Sequence, residues 1–326
     1  MRRLINSVTS TLLACGLLLS SVAVAADPTF TKAAEAGPDF AVQGEYEGKV
    51  GGDGKFAAQV IAEGDGKFTA VLFNNGLPGA GGERTKIALK GVTKDASIDF
   101  TGEGAKGAIQ SDKFRGTLEE GTEKRDFELK KVERKSPTLG MKPPAEAIVL
   151  FDGSNTKEWV DGKLMEEKYL GVGTRTVRKF KNYTLHLEFR SPFMPFSKGQ
   201  ARGNSGMYLN DQYEFQILDS FGLSGENNEC GGYYSFTKPA VNMCLPPLSW
   251  QTYDVEFRIA EFADGKKVKP AVATVKLNGV AVHDKYEIPR FNGGGGQMDE
   301  SQPGSIFVQD HGNPVYFQNI WIVQHD

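Results

Sequence analysis

The sequence predicts an all-β protein in which a small β-domain precedes a larger β-sandwich of the jelly-roll type. Short segments with period-two alternation of apolar and polar residues occur along most of the chain, bounded by Gly, Asn, Asp or Pro. The sustained helical periodicity of apolar residues that an amphipathic helix requires is nearly absent. Many short strands joined by such turns are typical of antiparallel sandwiches and barrels.

Three segments carry the clearest alternation, with apolar residues on one face and hydrogen-bonding or ionisable residues on the other. They are YTLHLEFR at 183–190, QYEFQILD at 212–219 and TYDVEFRI at 252–259. Glu188 and Arg190 share the polar face of the first segment. We expect each such strand to pack one side into a core and to present the other to water or to a polar ligand.

The length of the chain favours two domains, because a single hydrophobic core rarely grows to about 300 residues. Residues 134–146 are polar and rich in proline, without alternation, and are predicted to be a linker. Residues 38–133 before it contain several short alternating segments and form a small β-domain of open role. Residues 147–326 after it form the predicted jelly roll.

The first 25 residues have the features of a secretory signal peptide. Arg2 and Arg3 precede an apolar run, and small residues end at Ala25, where cleavage is expected. No later run is apolar for long enough to span a bilayer. Loss of the two arginines takes the formal net charge from −3 to −5, which argues against nucleic acid as a partner. An exported protein, periplasmic or extracellular, is predicted.

Two cysteines follow the leader, Cys230 and Cys244. An even number in an oxidising compartment favours a disulfide between them. The alternative is a pair of buried free thiols, and two cysteines alone do not complete a zinc site.

Five further residues are candidates for binding or chemistry, since no nucleophile elbow, phosphate-binding loop or HEXXH motif is present. Asn204, between two glycines, is either a ligand-binding amide or a turn residue. Glu214 and Gln216 alternate on one strand face, and Gln309 and His311 do so near the end of the chain. An acid and an amide side by side suit a ligand with hydroxyl and carbonyl groups, although an ordinary exposed strand face has the same composition.

An ordered set of motifs resembles the 3-keto-disaccharide hydrolase family over residues 147–326. The motifs are LFDG followed by Trp159, then LHLEFR, NSGMYL, YEFQILD, VNMCLPPLSWQTYDVEF, VKLNGV and GSIFVQDHGNPVYFQNI. The resemblance implies a concanavalin-like jelly roll acting on sugars whose C3 hydroxyl has become a ketone. The positions that match are Glu188, Arg190, Asn204, Ser205, Tyr213, Glu214, Gln216, Asp219, Gln309 and His311. Gln318 departs from the basic residue expected before the last Asn-Ile pair.

The chemistry of such a substrate can be stated independently of the family. A ketone at C3 acidifies the hydrogen on C2, so that a base can remove it and the enolate can expel the glycosidic oxygen from C1. Glu214 and His311 are the candidates for base and acid, and Arg190, Gln216 and Asn204 for holding the ketone and neighbouring hydroxyls, with Glu188 and Gln309 as further substrate-binding residues. A divalent cation bound by Glu214, Asp219 or His311 is an alternative electrophile. A noncatalytic, lectin-like carbohydrate-binding module and a structural cell-envelope protein are the alternative functions.

Overall fold

The structure, a computed structural model, describes residues 27–326 and is built almost entirely of strands. The signal peptide predicted at residues 1–25 lies outside the described residues. In the described part of the chain, no helix is long and apolar enough to cross a membrane.

Eight antiparallel strands close into a barrel in the first part of the chain. They are β1 (Gly44–Val50), β2 (Gly54–Gly64), β3 (Lys67–Asn74), β4 (Glu83–Lys94), β5 (Ser97–Gly102), β6 (Ala105–Gln110), β7 (Lys113–Glu120) and β8 (Glu123–Val132). Each strand pairs with the next, and β8 pairs with β1, with Glu45 opposite Val132. Closure leaves no sheet edge unpaired. A one-turn 3₁₀ helix (Ala33–Glu35) and α1 (Gly37–Val42) precede the barrel.

Two stacked sheets and one hairpin make up the rest of the molecule, here called the sandwich. The large sheet contains β9 (Ile148–Phe151), β10 (Leu164–Met165), β11 (Tyr169–Leu170), β13 (Asn182–Arg190), β16 (Gln251–Arg258), β19 (Ala271–Leu277), β20 (Val280–Ile288) and β22 (Tyr316–His325). The small sheet has the order β12 (Thr174–Arg175), β21 (Phe307–Val308), β14 (Ser205–Leu209), β15 (Tyr213–Ile217). The hairpin is β17 (Glu261–Ala263) and β18 (Lys266–Lys269), and a 3₁₀ turn spans Gly199–Ala201. The predicted all-β fold class, with a β-sandwich after a small β-domain, is confirmed.

Both sheets bury their apolar faces in one shared core. Leu187 and Phe189 of β13 and Phe215 and Ile217 of β15 are fully buried members of the same cluster. Because side chains alternate along a strand, the polar residues of β13 and β15 point away from this core in opposite directions. The sandwich therefore has two polar faces: the outer face of the large sheet and the outer face of the small sheet.

The linker crosses the outer face of the large sheet and covers a buried charged cluster. This outer-face cluster consists of His186, Glu188 and Asp254, with His186 Nδ1 2.6 Å from Asp254 Oδ1 and Nε2 3.3 Å from Glu188 Oε1. The hydroxyl of Thr138 donates to Asp254 at 2.7 Å, and the backbone N–H of Gly140 donates to Glu188 at 2.6 Å. The predicted linker residues are thus held on the sheet by charged acceptors.

Cys230 and Cys244 are both free thiols, buried in the core of the sandwich. The two thiols are near enough for each to shift the pKa of the other, and the thiol of Cys244 donates to the backbone oxygen of Leu218 at 3.4 Å. The disulfide expected from the sequence is not formed in this structure, which holds the alternative pair of buried thiols. Its formation in an oxidising compartment stays a prediction.

Candidate active site

The outer face of the small sheet gathers a carboxyl group, a phenol and an amide into one row. The register places Tyr208 of β14 opposite Glu214 of β15, and Gly206 opposite Gln216. Tyr208 donates a hydrogen bond of 2.7 Å to Oε2 of Glu214 and accepts one of 3.1 Å from Nε2 of Gln309. Gly206 leaves room in the row, because a Cβ there would lie 2.5 Å from Oε1 of Glu214. Glu214, Gln216 and Gln309, predicted from their alternation, therefore meet on one face.

Glu214 has the electrostatics of a general base. The residue is only 4% exposed, and this burial raises the pKa of its carboxyl to about 7, although the hydrogen bond from Tyr208 opposes the rise. A carboxyl group with a pKa near neutrality can both take and return a proton at physiological pH. Perturbation of this kind by burial is characteristic of functional sites.

Three amide side chains, Gln200, Asn204 and Gln216, form what we call the amide network. Nε2 of Gln216 donates to Oε1 of Gln200 at 2.9 Å and to Oδ1 of Asn204 at 3.3 Å. Nδ2 of Asn204 donates to the backbone oxygen of Gln200 at 2.8 Å. Oε1 of Gln216 is buried and has no hydrogen-bond partner among the described residues. A buried acceptor of this kind is costly unless a ligand hydroxyl completes it.

A glycine-rich loop at 293–296 lies directly over the row. A Cβ at Gly294 would overlap the hydroxyl of Tyr208, and one at Gly296 would overlap the guanidinium of Arg175. Just before the loop, Oδ1 of Asn292 accepts the backbone N–H of Glu214 at 2.6 Å. These contacts require glycine for close approach.

His311 lies at the rim of this site. It is exposed, in the turn that follows Gln309. Oδ1 of Asn313, at the end of that turn, accepts the backbone N–H of Asn204 at 2.7 Å. The turn with His311 is therefore attached to the amide network, and the histidine itself is open to solvent.

Glu188 and Arg190 lie on the other side of the sandwich, on the outer face of the large sheet. Glu188 belongs to the outer-face cluster under the linker. The guanidinium of Arg190 lies over the rings of Tyr169, Trp250 and Tyr316, at 5.0, 5.0 and 5.5 Å. The expectation that these residues share one polar face with Glu214 is corrected here, because alternation defines the face of a strand but not the sheet to which the strand belongs. Trp250 is packed against Tyr169 with ring centroids 5.1 Å apart.

Asp219 is occupied by an ion pair. Its Oδ2 lies 2.6 Å from Nε of Arg202, and both residues are buried. Within residues 27–326, no three His, Cys, Asp or Glu side chains are grouped so as to hold a metal ion. The structure thus does not bring Glu214, Asp219 and His311 together as ligands of a divalent cation.

A groove of about 1230 Å³ lies elsewhere, on the outer face of the large sheet beside the hairpin. Glu256, Arg258, Lys285 and Glu287 line it, and all four are exposed. Exposed side chains of both signs on one sheet face are ordinary for a solvated antiparallel sheet. The groove is therefore a weaker candidate for an active site than the enclosed row around Glu214.

Tyr208 and Gln200 are the site residues that sequence reasoning missed. Tyr208 lies two positions after Gly206 and therefore on the same strand face, with Met207 on the opposite, core face. Period-two alternation could thus have placed Tyr208 on the polar face, but a tyrosine in a strand is usually assigned to a core. Gln200 lies in an irregular turn, where no periodicity predicts which way a side chain points.

A jelly-roll sheet that carries a carboxyl group and amides suits ligands rich in hydroxyl groups. Comparison with known proteins shows that the chain belongs to the class of carbohydrate-active proteins. The profile of the 3-keto-alpha-glucoside-1,2-lyase-like domain matches residues 146–323, more than half of the chain. The chain belongs to this family, as the ordered motifs of residues 147–326 predicted. No protein of curated function matches the chain.

Two solved structures are similar to the sandwich. A candidate glycosyl hydrolase from Parabacteroides distasonis ATCC 8503, solved at 2.13 Å resolution, is 28% identical, with a TM-score of 0.50 over 56% of this chain and 85% of that chain. A second candidate glycosyl hydrolase from the same organism, solved at 1.70 Å, is 18% identical, with a TM-score of 0.40 over 56% of this chain and 94% of that chain.

Proposed function

We propose that this protein is an exported enzyme that cleaves the glycosidic bond of 3-keto-glycosides, with Glu214 as the base. The observation that carries the proposal is the buried carboxyl of Glu214, whose pKa of about 7 matches a proton transfer at neutral pH. The family supports a keto-sugar as the substrate, and the leader predicted at residues 1–25 supports export.

The reaction begins with removal of the acidified hydrogen from C2. The C2–H bond breaks, the proton goes to the carboxylate of Glu214, and the electron pair is delocalised onto the oxygen at C3 as an enolate. The enolate then forms a double bond between C1 and C2 and expels the glycosidic oxygen, which takes a proton and leaves as an alcohol. Addition of water across the new double bond completes a net hydrolysis. This route requires one base and not the paired carboxylates of an ordinary glycosidase.

The amide network and the rim supply the other roles. The unpartnered Oε1 of Gln216 accepts a hydrogen bond from a sugar hydroxyl, and Asn204 holds the amide of Gln216 in place. His311, exposed at the rim, donates the proton to the leaving oxygen. Gln309 orients the hydroxyl of Tyr208 toward Glu214.

The first experiment compares a 3-keto-disaccharide with its parent disaccharide, using the purified mature protein. Release of the leaving sugar is expected only from the keto form. In D₂O, deuterium should appear at C2 of the product, because the proton taken by Glu214 exchanges with solvent. Failure to release sugar from any keto-glycoside would rule out the proposed reaction, and release without deuterium at C2 would rule out the elimination route.

Glu214→Gln distinguishes the enzyme from a lectin-like module. The amide keeps the shape and the hydrogen bond from Tyr208 but cannot accept the proton, so turnover should fall by about 10²- to 10⁴-fold while binding of the keto-sugar persists. Glu256→Gln, on the exposed face of the large sheet, is the matched control and should leave turnover unchanged. A noncatalytic module would bind sugar equally in both variants and turn over in neither.

A further inference from the structure

The amino-terminal domain contacts the segment of the sandwich that leads into the amide network, residues 193–202, at three points. Phe193 begins this contact, since its backbone N–H and C=O both pair with Phe30, at 2.9 and 3.0 Å. Its ring is fully buried within the barrel core, 5.3 Å from the ring of Phe40. One residue of the sandwich is thus part of the hydrophobic core of the other domain.

Phe196 continues the contact at the rim of the barrel. Its ring lies against Gly64 at the end of β2, where a Cβ would overlap the ring atoms. Gly64 has a φ of +83°, a conformation that favours glycine. Because Gly64 has no side chain, the ring of Phe196 can pack directly against its backbone.

Arg202 ends the segment and joins three parts of the protein. Its Nε pairs with Asp219 at 2.6 Å, and its Nη1 and Nη2 make long contacts with the barrel, 3.4 Å to the backbone oxygen of Ala62 and 3.5 Å to Oε1 of Gln43. Arg202 is 7% exposed, so its ion pair with Asp219 is made away from water, where it is strong, and it holds the guanidinium against the barrel.

Between Phe196 and Arg202, the turn Gly199–Ala201 carries Gln200 to the site. Oε1 of Gln200 accepts the N–H of Gln216 at 2.9 Å, which fixes the nitrogen end of that amide toward Gln200. The carbonyl end, Oε1 of Gln216, is then the free acceptor. If Gln200 moved away, the Gln216 amide would keep only its longer hydrogen bond of 3.3 Å to Asn204, whose own amide is held by the backbone oxygen of Gln200. The Gln216 amide could then rotate by half a turn and present a donor to the substrate where an acceptor is needed.

We infer that the amino-terminal barrel is a structural part of the candidate active site, which positions Gln200 through Phe196 and Arg202 so that Gln216 presents its carbonyl oxygen to the sugar. Phe196 and Arg202 are positioning residues. The inference answers the open role of residues 38–133, and it rests on the proposed function for the identity of the substrate.

The test loosens the contact from both sides in the full mature chain. Phe196→Ala removes the ring from the sandwich side, and Phe262→Ala is its control, because the two rings are equally exposed (37% and 38%) and Phe262 lies on the hairpin. Gly64→Ala displaces the ring from the barrel side. Gly121→Ala is its control, since Gly121 also has a positive φ, +63°, with open space around it.

Two readouts are measured on each variant. Hydrogen exchange of the amides of residues 198–206, which needs no substrate, should be faster in Phe196→Ala and Gly64→Ala than in their controls. With a 3-keto-disaccharide, KM should rise on the order of tenfold while the pH midpoint set by Glu214 stays the same, because positioning is lost and the base is not. A general loss of stability would lower the melting temperature without changing the KM of the folded protein.

The outcomes separate the two proposals. Unchanged exchange and unchanged KM in both test variants would overturn the positioning role of the barrel. Faster exchange in Phe196→Ala and Gly64→Ala, together with no turnover by the wild type, would contradict the proposed function but support the positioning of residues 198–206 by the barrel. Arg202→Lys, which keeps the charge beside Asp219, should raise KM less than Arg202→Gln does. An equal rise in KM for the two variants would contradict the role of the ion pair.

Discussion

Tyr208 donates a hydrogen bond of 2.7 Å to Oε2 of Glu214. This contact favours the ionised carboxylate, whereas burial disfavours it more strongly, and the balance is a pKa of about 7. The phenol therefore adjusts the pH at which the base becomes available. Burial and the neighbouring carboxylate raise the pKa of Tyr208 itself well above its usual value, so the phenol stays protonated and remains a donor.

Tyr208→Phe should move the acidic limb of the pH profile of kcat/KM to higher pH. Loss of the hydroxyl removes a donor that lowers the pKa of Glu214, so the midpoint should rise above the value of about 7 expected for the wild type. Activity at neutral pH should fall, with recovery at higher pH. Tyr286→Phe, on the large sheet, is the control. A midpoint that stays or decreases would contradict the role of Tyr208.

Glu214→Gln should stabilise the folded protein above neutral pH. The folded-state pKa of about 7 lies above the ordinary value of 4.5 for a glutamate, so the folded state loses stability as pH rises from 4.5 to 7 and the buried group ionises. A neutral amide avoids this loss, which is on the order of 3 kcal/mol at pH 8 and negligible at pH 4. Urea unfolding at both pH values measures the difference. An equal change at the two pH values would be inconsistent with a raised pKa.

The alternation of the sequence predicted the faces of the strands correctly, because side-chain direction follows from backbone pleating alone. Glu214 and Gln216 share a face for this reason, and so do Glu188 and Arg190. Alternation says nothing about which strands pair across a sheet. The sequence therefore could not show that the two pairs lie in different sheets, since that depends on long-range pairing of β13 with β22 and of β14 with β21.

The sequence predicted neither the closure of the barrel nor the role of Gln200. β6 has the sequence AKGAIQ, with one large apolar residue, so that no alternation marks it as a strand. Its presence completes the ring between β5 and β7. Gln200 reaches Gln216 because a turn is fixed against another domain, and such contacts depend on the packing of distant segments and not on local pattern.

Arg190→Ala should weaken stability and leave substrate affinity unchanged. The guanidinium lies among three aromatic rings on the face opposite Glu214, where contact with each ring favours the cation. Its loss should cost on the order of 2 kcal/mol of unfolding free energy. KM for the keto-sugar should equal that of the wild type. A large rise in KM with unchanged stability would instead restore the substrate-binding role expected from the sequence.

Cys230 and Cys244 should be joined by a disulfide in protein recovered from an oxidising compartment. The two thiols are buried in the same core, and each shifts the pKa of the other, so the side chains are neighbours. Intact mass before and after reduction should differ by two hydrogens, and Cys244→Ser should lower stability by about 3 kcal/mol relative to the bonded form. Protein made in a reducing cytosol is the control, with two thiols open to alkylation after denaturation. Two free thiols in the exported protein would refute the prediction.

The outer-face cluster should make the docking of the linker dependent on pH. Burial alone would lower the pKa of His186, but hydrogen bonds to Asp254 and Glu188 raise it above the ordinary histidine value of 6.5. The stability that this pairing contributes is present below pH 6.5 and is lost as pH rises through the folded-state pKa. Burial likewise opposes the charge of Glu188, yet the donors around it lower its pKa below 4.5, so its contribution is lost in acid.

His186→Gln should therefore remove the alkaline decline of stability. It should also cost about 3–5 kcal/mol near pH 6, because two buried carboxylates lose their cation. Hydrogen exchange of the Gly140 amide should become faster in the variant, since this N–H donates to the carboxylate of Glu188. His325→Gln is the control, because that histidine is exposed and pairs with the hydroxyl of Thr184 at 2.9 Å, away from the outer-face cluster. If the wild type and His186→Gln have parallel stability curves from pH 5 to pH 9, His186 is not charged in the folded protein.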